Sequence, residues 1–252
     1  MPQFFNLAKI LLAVCVLSAC TAEPEQRNSI RVLLVTGGGW HDYVAQEPLL
    51  TQGLSERIPE IEWTIVHEGD KQADHHISVM QEDDWAADYD LVVHNTSFGM
   101  LTDGEFVEHM VQHHMGTPAV LIHSAVHSYR RAEPTAEPWF RFAGLQSMWH
   151  EDERVFTVEN VAPEDPIMAA FPEKWETPVT EELYVVEKIW ADITPLARAY
   201  GIETETYHTV VWKHEVENTR VFATTLGHNV DMFEQDVYMD TLAKGVLWAL
   251  GR

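Results

Sequence analysis

Continuous apolar runs that end abruptly in polar residues restrict the fold of this chain more than any other feature. Residues 30–35 (IRVLLV), 91–93 (LVV) and 118–122 (PAVLI) are apolar almost throughout, instead of alternating with polar residues. A strand of this kind is buried on both faces, as the central strands of parallel sheets are. Helix-like segments lie between the runs. The pattern predicts an α/β fold with a doubly wound, mostly parallel sheet and helices on both faces.

Two helix starts are signalled in the first half of the chain. A helix over 47–58 has Pro48 near its start, where proline is tolerated. Thr102 and Glu105 have the spacing of a capping box, which predicts that a second helix begins there.

The second half has a different pattern. Residues 132–200 are less regular and predict a β-rich insertion, with a short helix that ends at Gly144. The alternating segments 208–215 and 220–228 predict a hairpin, and residues 235–251 predict a closing amphipathic helix.

The N-terminal residues resemble an export signal rather than part of the fold. Lys9 precedes an apolar run over 10–16 that is too short to span a bilayer stably. The run ends in LSAC at 17–20, which resembles the bacterial lipobox. We therefore expect residues 1–19 to be a lipoprotein signal peptide. An ordinary signal peptide and a core helix are the alternatives.

On this interpretation Cys20 carries the lipid and residues 20–29 form a tether. Thr21, where retained lipoproteins have Asp, predicts an exported lipoprotein of the outer membrane that faces the periplasm. Cys15 leaves with the signal peptide, so no thiol remains for a disulfide, a thiolate metal site or a cysteine nucleophile. The formal net charge of −24 argues against nucleic acid as a partner and leaves the lipid at Cys20 as the membrane contact.

Polar residues follow the ends of four predicted strands. They are Gly38, Gly39, Trp40 and His41 after the first strand, His94 and Asn95 after the second, His123 and Ser124 after the third, and His228 after the fourth. Ligands of open α/β sheets bind outside the carboxyl ends of the strands. We therefore expect these side chains to share one cleft.

Several of these residues also have a purely structural interpretation. His94 and Asn95 could satisfy loop amides. Large aromatic residues could pack in the core or stack on sugar rings, namely Trp40, Tyr184 and Trp212. Two histidine pairs are expected to be solvated, His75–His76 and His113–His114.

Two kinds of catalytic centre are considered for the cleft. Ser124 lacks the glycines of a G-x-S-x-G elbow, so a triad of Ser124, His228 and Glu182 has little support. A metal such as zinc is the other possibility, although no HExxH motif is present. Its candidate ligands are His41, His123, His127 and His228, with Asp42 or Glu182 as the carboxylate.

Five segments together resemble the trehalose-utilisation ThuA-like family across about residues 30–252. They are VLLVTGGGWHDY, YDLVVHNTSFGMLTDGE, AVLIHSAVHSYR, DPIMAAFPEKWETPVTEELY and the segment from HTVVWKHE to the C-terminus. The resemblance implies one ThuA-like domain over 30–252 with the flavodoxin-like sheet of the class I glutamine amidotransferase-like superfamily. Amidotransferases have a cysteine nucleophile after the strand that corresponds to 118–123. This chain has HSA there, which excludes glutamine amidotransferase chemistry.

The resemblance further implies a role in the catabolism of trehalose and other glycosides, beside enzymes that make keto-sugars. The leading hypothesis is an isomerase, lyase or hydrolase that moves protons with His123, His228 and Glu182 on a glycoside or keto-sugar. Residues expected to bind the sugar are Gly38, Gly39, Trp40, His41, Asn95, Ser124, His127, Tyr129, Arg130 and Tyr184. The alternatives are a non-catalytic sugar-binding lipoprotein and a metal-dependent hydrolase with a cation at His41, His123 and His228.

Overall fold

The computed structural model describes residues 29–252, which form a layered α/β structure. Its strands are β1 (Ile30–Gly38), β2 (Ile61–His67), β3 (Leu91–Ser97), β4 (Ala119–Ile122), β5 (Leu145–His150), β6 (Thr157–Asn160), β7 (Lys174–Glu176), β8 (Tyr184–Ile189), β9 (Thr194–Tyr200), β10 (Tyr207–Val216) and β11 (Thr219–Thr224). Its α-helices are α1 (Tyr43–Arg57), α2 (Gly104–Gln112), α3 (Glu137–Ala143) and α4 (Asp236–Ala249).

One large sheet organises the molecule, in the order β2-β1-β3-β4-β11-β10-β9-β6-β7. The first five strands pair in parallel, whereas β10, β9, β6 and β7 pair antiparallel and extend one side. β5 and β8 form a separate two-stranded ribbon. The predicted fold class is confirmed, including the β-rich insertion in the second half and the hairpin of β10 with β11.

The apolar runs are continuous because each central strand supplies two cores. On β1, Val32 and Leu34 belong to the core under α1 and α4, whereas Leu33 and Val35 belong to the core under α2 and α3. All four side chains are fully buried. This is the packing that a sheet covered by helices on both faces requires.

Both predicted helix starts are displaced, that of α1 from Glu47 to Tyr43 and the N-cap of α2 from Thr102 by one residue to Asp103. α1 begins at Tyr43, where Asp42 accepts a hydrogen bond from the Ala45 N–H at 3.1 Å, so Pro48 lies inside the helix. The N-cap of α2 is Asp103, which accepts from the Phe106 N–H at 3.0 Å. In both cases an aspartate carboxylate accepts a hydrogen bond from an N–H group in the first turn of the helix. The negative charge of the carboxylate is also favourable at the positive end of the helix dipole.

The prediction that His114 is solvated is wrong. His114 and His94 are fully buried, and their rings stack with centroids 5.1 Å apart. Their Nε2 atoms lie 3.0 Å apart, and the Nδ1 atom of each ring has no hydrogen-bond partner in the part of the chain that the structure describes. His94 therefore belongs to the core rather than to the cleft.

The predicted signal peptide and Cys20 lie in residues 1–28, outside the described part of the chain. Within residues 29–252, none of the helices combines the length and the apolar character needed to cross a bilayer.

Candidate functional site

Three histidines meet at the carboxyl edge of the parallel sheet. His41 follows β1, His123 follows β4 and His228 follows β11. The ring centroids are 4.9 Å apart for His41 and His123, 5.1 Å for His41 and His228, and 5.4 Å for His123 and His228. The three strand ends therefore form one imidazole cluster, which consists of these three residues.

A sharp turn at the end of β4 presents His123. Its φ angle of 49° lies in the left-handed region, which residues other than glycine rarely adopt and which stores strain at functional sites. The sequence lacks the glycines of a nucleophile elbow, yet the turn is present and its apex is a histidine. The next residue, Ser124, is buried and bonds the Tyr43 hydroxyl at 2.9 Å and the Thr96 carbonyl at 3.1 Å. No triad forms through Ser124.

A backbone hydrogen bond fixes the tautomer of His123. Nδ1 lies 2.6 Å from the Thr225 carbonyl oxygen, and a carbonyl only accepts, so the Nδ1–H group is the donor. In the neutral ring Nε2 then carries a lone pair. Nε2 faces the Glu182 carboxylate at 3.3 Å and the Tyr184 hydroxyl at 3.4 Å.

Glu182 connects the imidazole cluster with a further histidine. One carboxylate oxygen lies 3.2 Å from Nε2 of His150 and 3.5 Å from Nδ1 of His228. The His150 Nδ1–H group donates to the Glu151 carbonyl at 2.9 Å, so Nε2 is the nitrogen left to exchange protons. Sequence reasoning missed His150, because no motif around it in β5 distinguishes it.

Electrostatic effects favour a neutral His41 near an ionised Glu182 carboxylate. Burial, together with the nearby His123 and His228, lowers the pKa of His41 to about 2. Burial would raise the pKa of Glu182, but the hydrogen bonds of His123 and His228 and the charges of His123 and His150 hold it well below its usual range. Burial lowers the pKa of His228, but its neighbours Glu182 and Glu153 outweigh that effect and raise it.

Glu181 holds the loop that carries His228. Its fully buried carboxylate accepts the N–H groups of Gly227 at 2.9 Å, His228 at 3.2 Å and Asn229 at 3.3 Å. Gly227 has a φ of 116°, which favours glycine. Burial raises the pKa of Glu181, an effect that these N–H groups partly oppose. Sequence reasoning selected its neighbour Glu182 and missed Glu181.

A cavity of about 240 Å³ opens beside the imidazole cluster. Its lining residues are Trp40, His41, Ser97, Gly99, Ser124, His127, Arg130, His150, Glu182 and Tyr184. His127 stacks on Tyr184 with a centroid separation of 3.6 Å and an interplanar angle of 6°. Trp40 is 63% exposed, so its ring is available at the mouth. The volume suits one small polar molecule rather than a large ligand.

Four residues expected to bind the sugar do not line the cavity. Gly38 packs against β3, where an added Cβ would lie 2.4 Å from the Ser97 carbonyl oxygen, and Gly39 donates its N–H to the same oxygen at 3.0 Å. Asn95 is buried and donates to the Gln46 side chain at 3.1 Å. Tyr129 lies in the core. The prediction that these four residues bind the sugar is wrong, because their contacts lie inside the protein. Trp212 also lies in the core.

The imidazole cluster has the donor atoms of a metal site. Each of its histidines offers one nitrogen, and these three nitrogens lie within 4.8 Å of one another. Two of the other candidate ligands are engaged elsewhere, since Asp42 caps α1 and Nε2 of His127 bonds the Ser147 hydroxyl at 2.8 Å. Glu182 remains beside the cluster.

A second group with metal-ligand spacing, Asp83, His109 and His113, is of a different kind. Nδ1 of His113 accepts the Asp84 N–H at 3.0 Å, which uses its lone pair and leaves the proton on Nε2. His109 points Nε2 at the Glu82 carbonyl at 3.3 Å. The hydrogen bond to Nδ1 of His113 therefore occupies a lone pair that a cation would need.

Comparison with known proteins agrees with the fold and the motifs. A family model described as trehalose utilisation, ThuA, matches residues 31–249. No curated protein matches the chain significantly. A ThuA-like protein from Parabacteroides merdae has a similar structure, with 18% identity, a TM-score of 0.64, and coverage of 88% of this chain and 90% of that one. One from Bacteroides uniformis has 14% identity, a TM-score of 0.61, and coverage of 92% and 95%.

A more distant similarity is to the glutaminase domain of the CTPS of Trypanosoma brucei, with 10% identity, a TM-score of 0.49, and coverage of 89% of this chain and 95% of that domain. That likeness is too remote to support an argument about this chain. The ThuA-like structures establish the fold, and the family model extends over nearly all of the described residues. The chain belongs to the ThuA, or trehalose utilisation, family.

Proposed function

We propose that this ThuA protein is an exported, lipid-anchored enzyme that processes a glycoside or a keto-sugar, with a divalent cation such as zinc held by the imidazole cluster. The family supports a role in carbohydrate use, and the cavity supports a substrate with one small polar ring inside it. The single observation that carries the cation is the convergence of three imidazole nitrogens beside Glu182.

The argument for a cation starts from His123. Its Nε2 lone pair and a Glu182 oxygen face each other at 3.3 Å, and two electron-pair donors at that distance repel unless a positive species lies between them. A proton or a metal ion satisfies this requirement. The other two imidazoles favour a metal ion, because three histidines with an open position form a common catalytic zinc site. The Thr225 carbonyl oxygen accepts from the Nδ1–H group of His123, and a backbone carbonyl is a usual outer partner of a histidine ligand.

Each residue then has a defined role. His41, His123 and His228 serve as ligands rather than as proton carriers. Glu182 removes the proton from the carbon next to the sugar carbonyl. Nε2 of His150, 3.2 Å from Glu182, takes up this proton or delivers it to a neighbouring sugar oxygen. A bound cation supplies polarisation of the sugar carbonyl oxygen, which acidifies the adjacent C–H bond.

Metal analysis of the purified protein tests the cation. We expect about one zinc ion per chain after dialysis, and d–d absorption bands typical of nitrogen ligands when cobalt replaces zinc. H41A, H123A and H228A should each lose the ion, whereas H113A, outside the cluster, should retain it. A metal-free protein that turns over sugar normally would refute the cation and return the proton-transfer roles to His123 and His228.

Turnover tests the reaction. Keto-glycosides and their parent glycosides are incubated with the protein in D2O, and products are followed by NMR. We expect deuterium to enter next to the carbonyl carbon, and E182Q to stop this exchange. Tight binding of an unchanged ligand would instead identify a sugar-binding protein.

The anchor is tested separately, since C20A should abolish labelling with a fatty acid and release the chain from the membrane.

A further inference from the structure

Arg130 is a cation that lines the cavity and has no partner within the described part of the chain. Among residues 29–252 it forms neither an ion pair nor a hydrogen bond, and its buried NH1 group has no acceptor. Its side chain lies against Gly99, where an added Cβ would be 3.5 Å from the Arg130 Nε. The absence of a side chain at Gly99 leaves the guanidinium group room beside the cavity.

Other arginines of the described chain show what a guanidinium group normally contacts in this protein. Those paired with carboxylates are Arg31, Arg57, Arg141, Arg154, Arg198 and Arg220. A partly buried charge without a partner costs free energy, and the cost is offset when a ligand supplies the opposite charge. The planar fork of a guanidinium group matches a carboxylate with two parallel hydrogen bonds.

We propose that the cavity binds a sugar that carries a carboxylate group, such as a uronic or aldonic acid, and that Arg130 pairs with this carboxylate. The proposal rests on the proposed function only for the sugar nature of the ligand. The lining places Arg130 and Glu182 around the same cavity of about 240 Å³, so a single sugar ring lies between them. The carboxylate end is then fixed by Arg130, and the reacting end faces the imidazole cluster.

A carboxylate fits better than a phosphate. A phosphate monoester carries about −1.5 to −2 charges near neutral pH, whereas a carboxylate carries one. Among the described residues that line the cavity, Arg130 is the one guanidinium or ammonium group. In a one-to-one pair with Arg130, a carboxylate is balanced, whereas a phosphate keeps part of its negative charge unpaired.

Calorimetric titration with D-glucuronate, D-glucose and glucose 6-phosphate tests the proposal. We expect glucuronate to bind about 10- to 100-fold more tightly than glucose, the range given by charge-assisted hydrogen bonds. R130Q should bring glucuronate down to the affinity of glucose, and R130K should restore part of the difference. R131Q makes the same charge change at the adjacent exposed residue and should bind like the unaltered protein.

Equal affinity for the acid and the neutral sugar, or no effect of R130Q, would overturn the proposal. A preference for glucose 6-phosphate would overturn the choice of a carboxylate. The titrations are carried out on zinc-loaded and chelator-treated protein. If the protein binds no zinc but still prefers glucuronate to glucose, the first result refutes the cation and the second supports the role of Arg130.

Discussion

The Glu181 carboxylate provides the sharpest test of how the fold positions the imidazole cluster. E181Q keeps the shape of the side chain but replaces one carboxylate oxygen by an NH2 group. That group cannot accept, so at least one of the N–H groups of Gly227, His228 and Asn229 loses its acceptor. An unsatisfied buried N–H costs about 1–3 kcal/mol, and the remaining bonds lose their ionic character. We expect the free energy of unfolding to fall by about 2 kcal/mol.

The more specific effect concerns His228, whose loop these bonds hold. Changes to outer partners of metal ligands weaken metal affinity by about 10- to 100-fold, and we expect a loss in that range for zinc. Urea denaturation measures the stability, and competition with a chelating dye measures the affinity.

Glu151 supplies a matched control. It is also fully buried and accepts three consecutive N–H groups, those of Ile202, Glu203 and Thr204 at 2.9, 3.1 and 2.9 Å. That loop contributes no residue to the imidazole cluster, so E151Q should lower stability without changing zinc affinity. Unchanged zinc binding in E181Q, or an equal loss in both variants, would refute the positioning role.

Other predictions concern the core and the first strand. H94L and H114L each leave both nitrogens of the partner ring unsatisfied, so each should destabilise the protein. In urea titrations the double variant should be more stable than the sum of the two single effects predicts, by about 1–3 kcal/mol. Burial lowers the pKa of both residues, that of His114 to about 4. Stability should therefore fall as pH decreases below 6.5, because the unfolded chain binds the protons. Burial also lowers the pKa of His41, so the double variant should lose only the part of this dependence that His94 and His114 contribute, and a wild-type profile in it would exclude the pair as a source. G38A should lower the stability by at least about 2 kcal/mol, since Gly38 has a φ of 113° and an added Cβ would meet the Ser97 carbonyl oxygen. G116A should cost less, because Gly116 has a φ of 95° but its Cβ would lie in open space. Equal losses of stability in thermal melts would show that steric overlap is unimportant.

The parallel strands and the edge that carries the site could be predicted from the sequence. Runs such as that of β1 are apolar on both faces because each face is covered, and this burial is written into consecutive residues. The polar residues that follow such runs, including His41, His123 and His228, come together because parallel strands end at one edge. Local pattern therefore contains the imidazole cluster in outline.

Only the tertiary structure decided which neighbouring polar residues serve the site and which serve the core. Glu182 faces the imidazole cluster and Glu181 turns to the backbone of the loop that carries His228, although the two are adjacent in sequence. His114 is buried against His94, 20 residues away, whereas Arg130 is left without a partner among residues 29–252. These outcomes depend on contacts between distant segments. A hydrogen-bond partner that arrives from another strand or loop leaves no periodic signal in the residues around it, and burial of a polar side chain is determined by that partner.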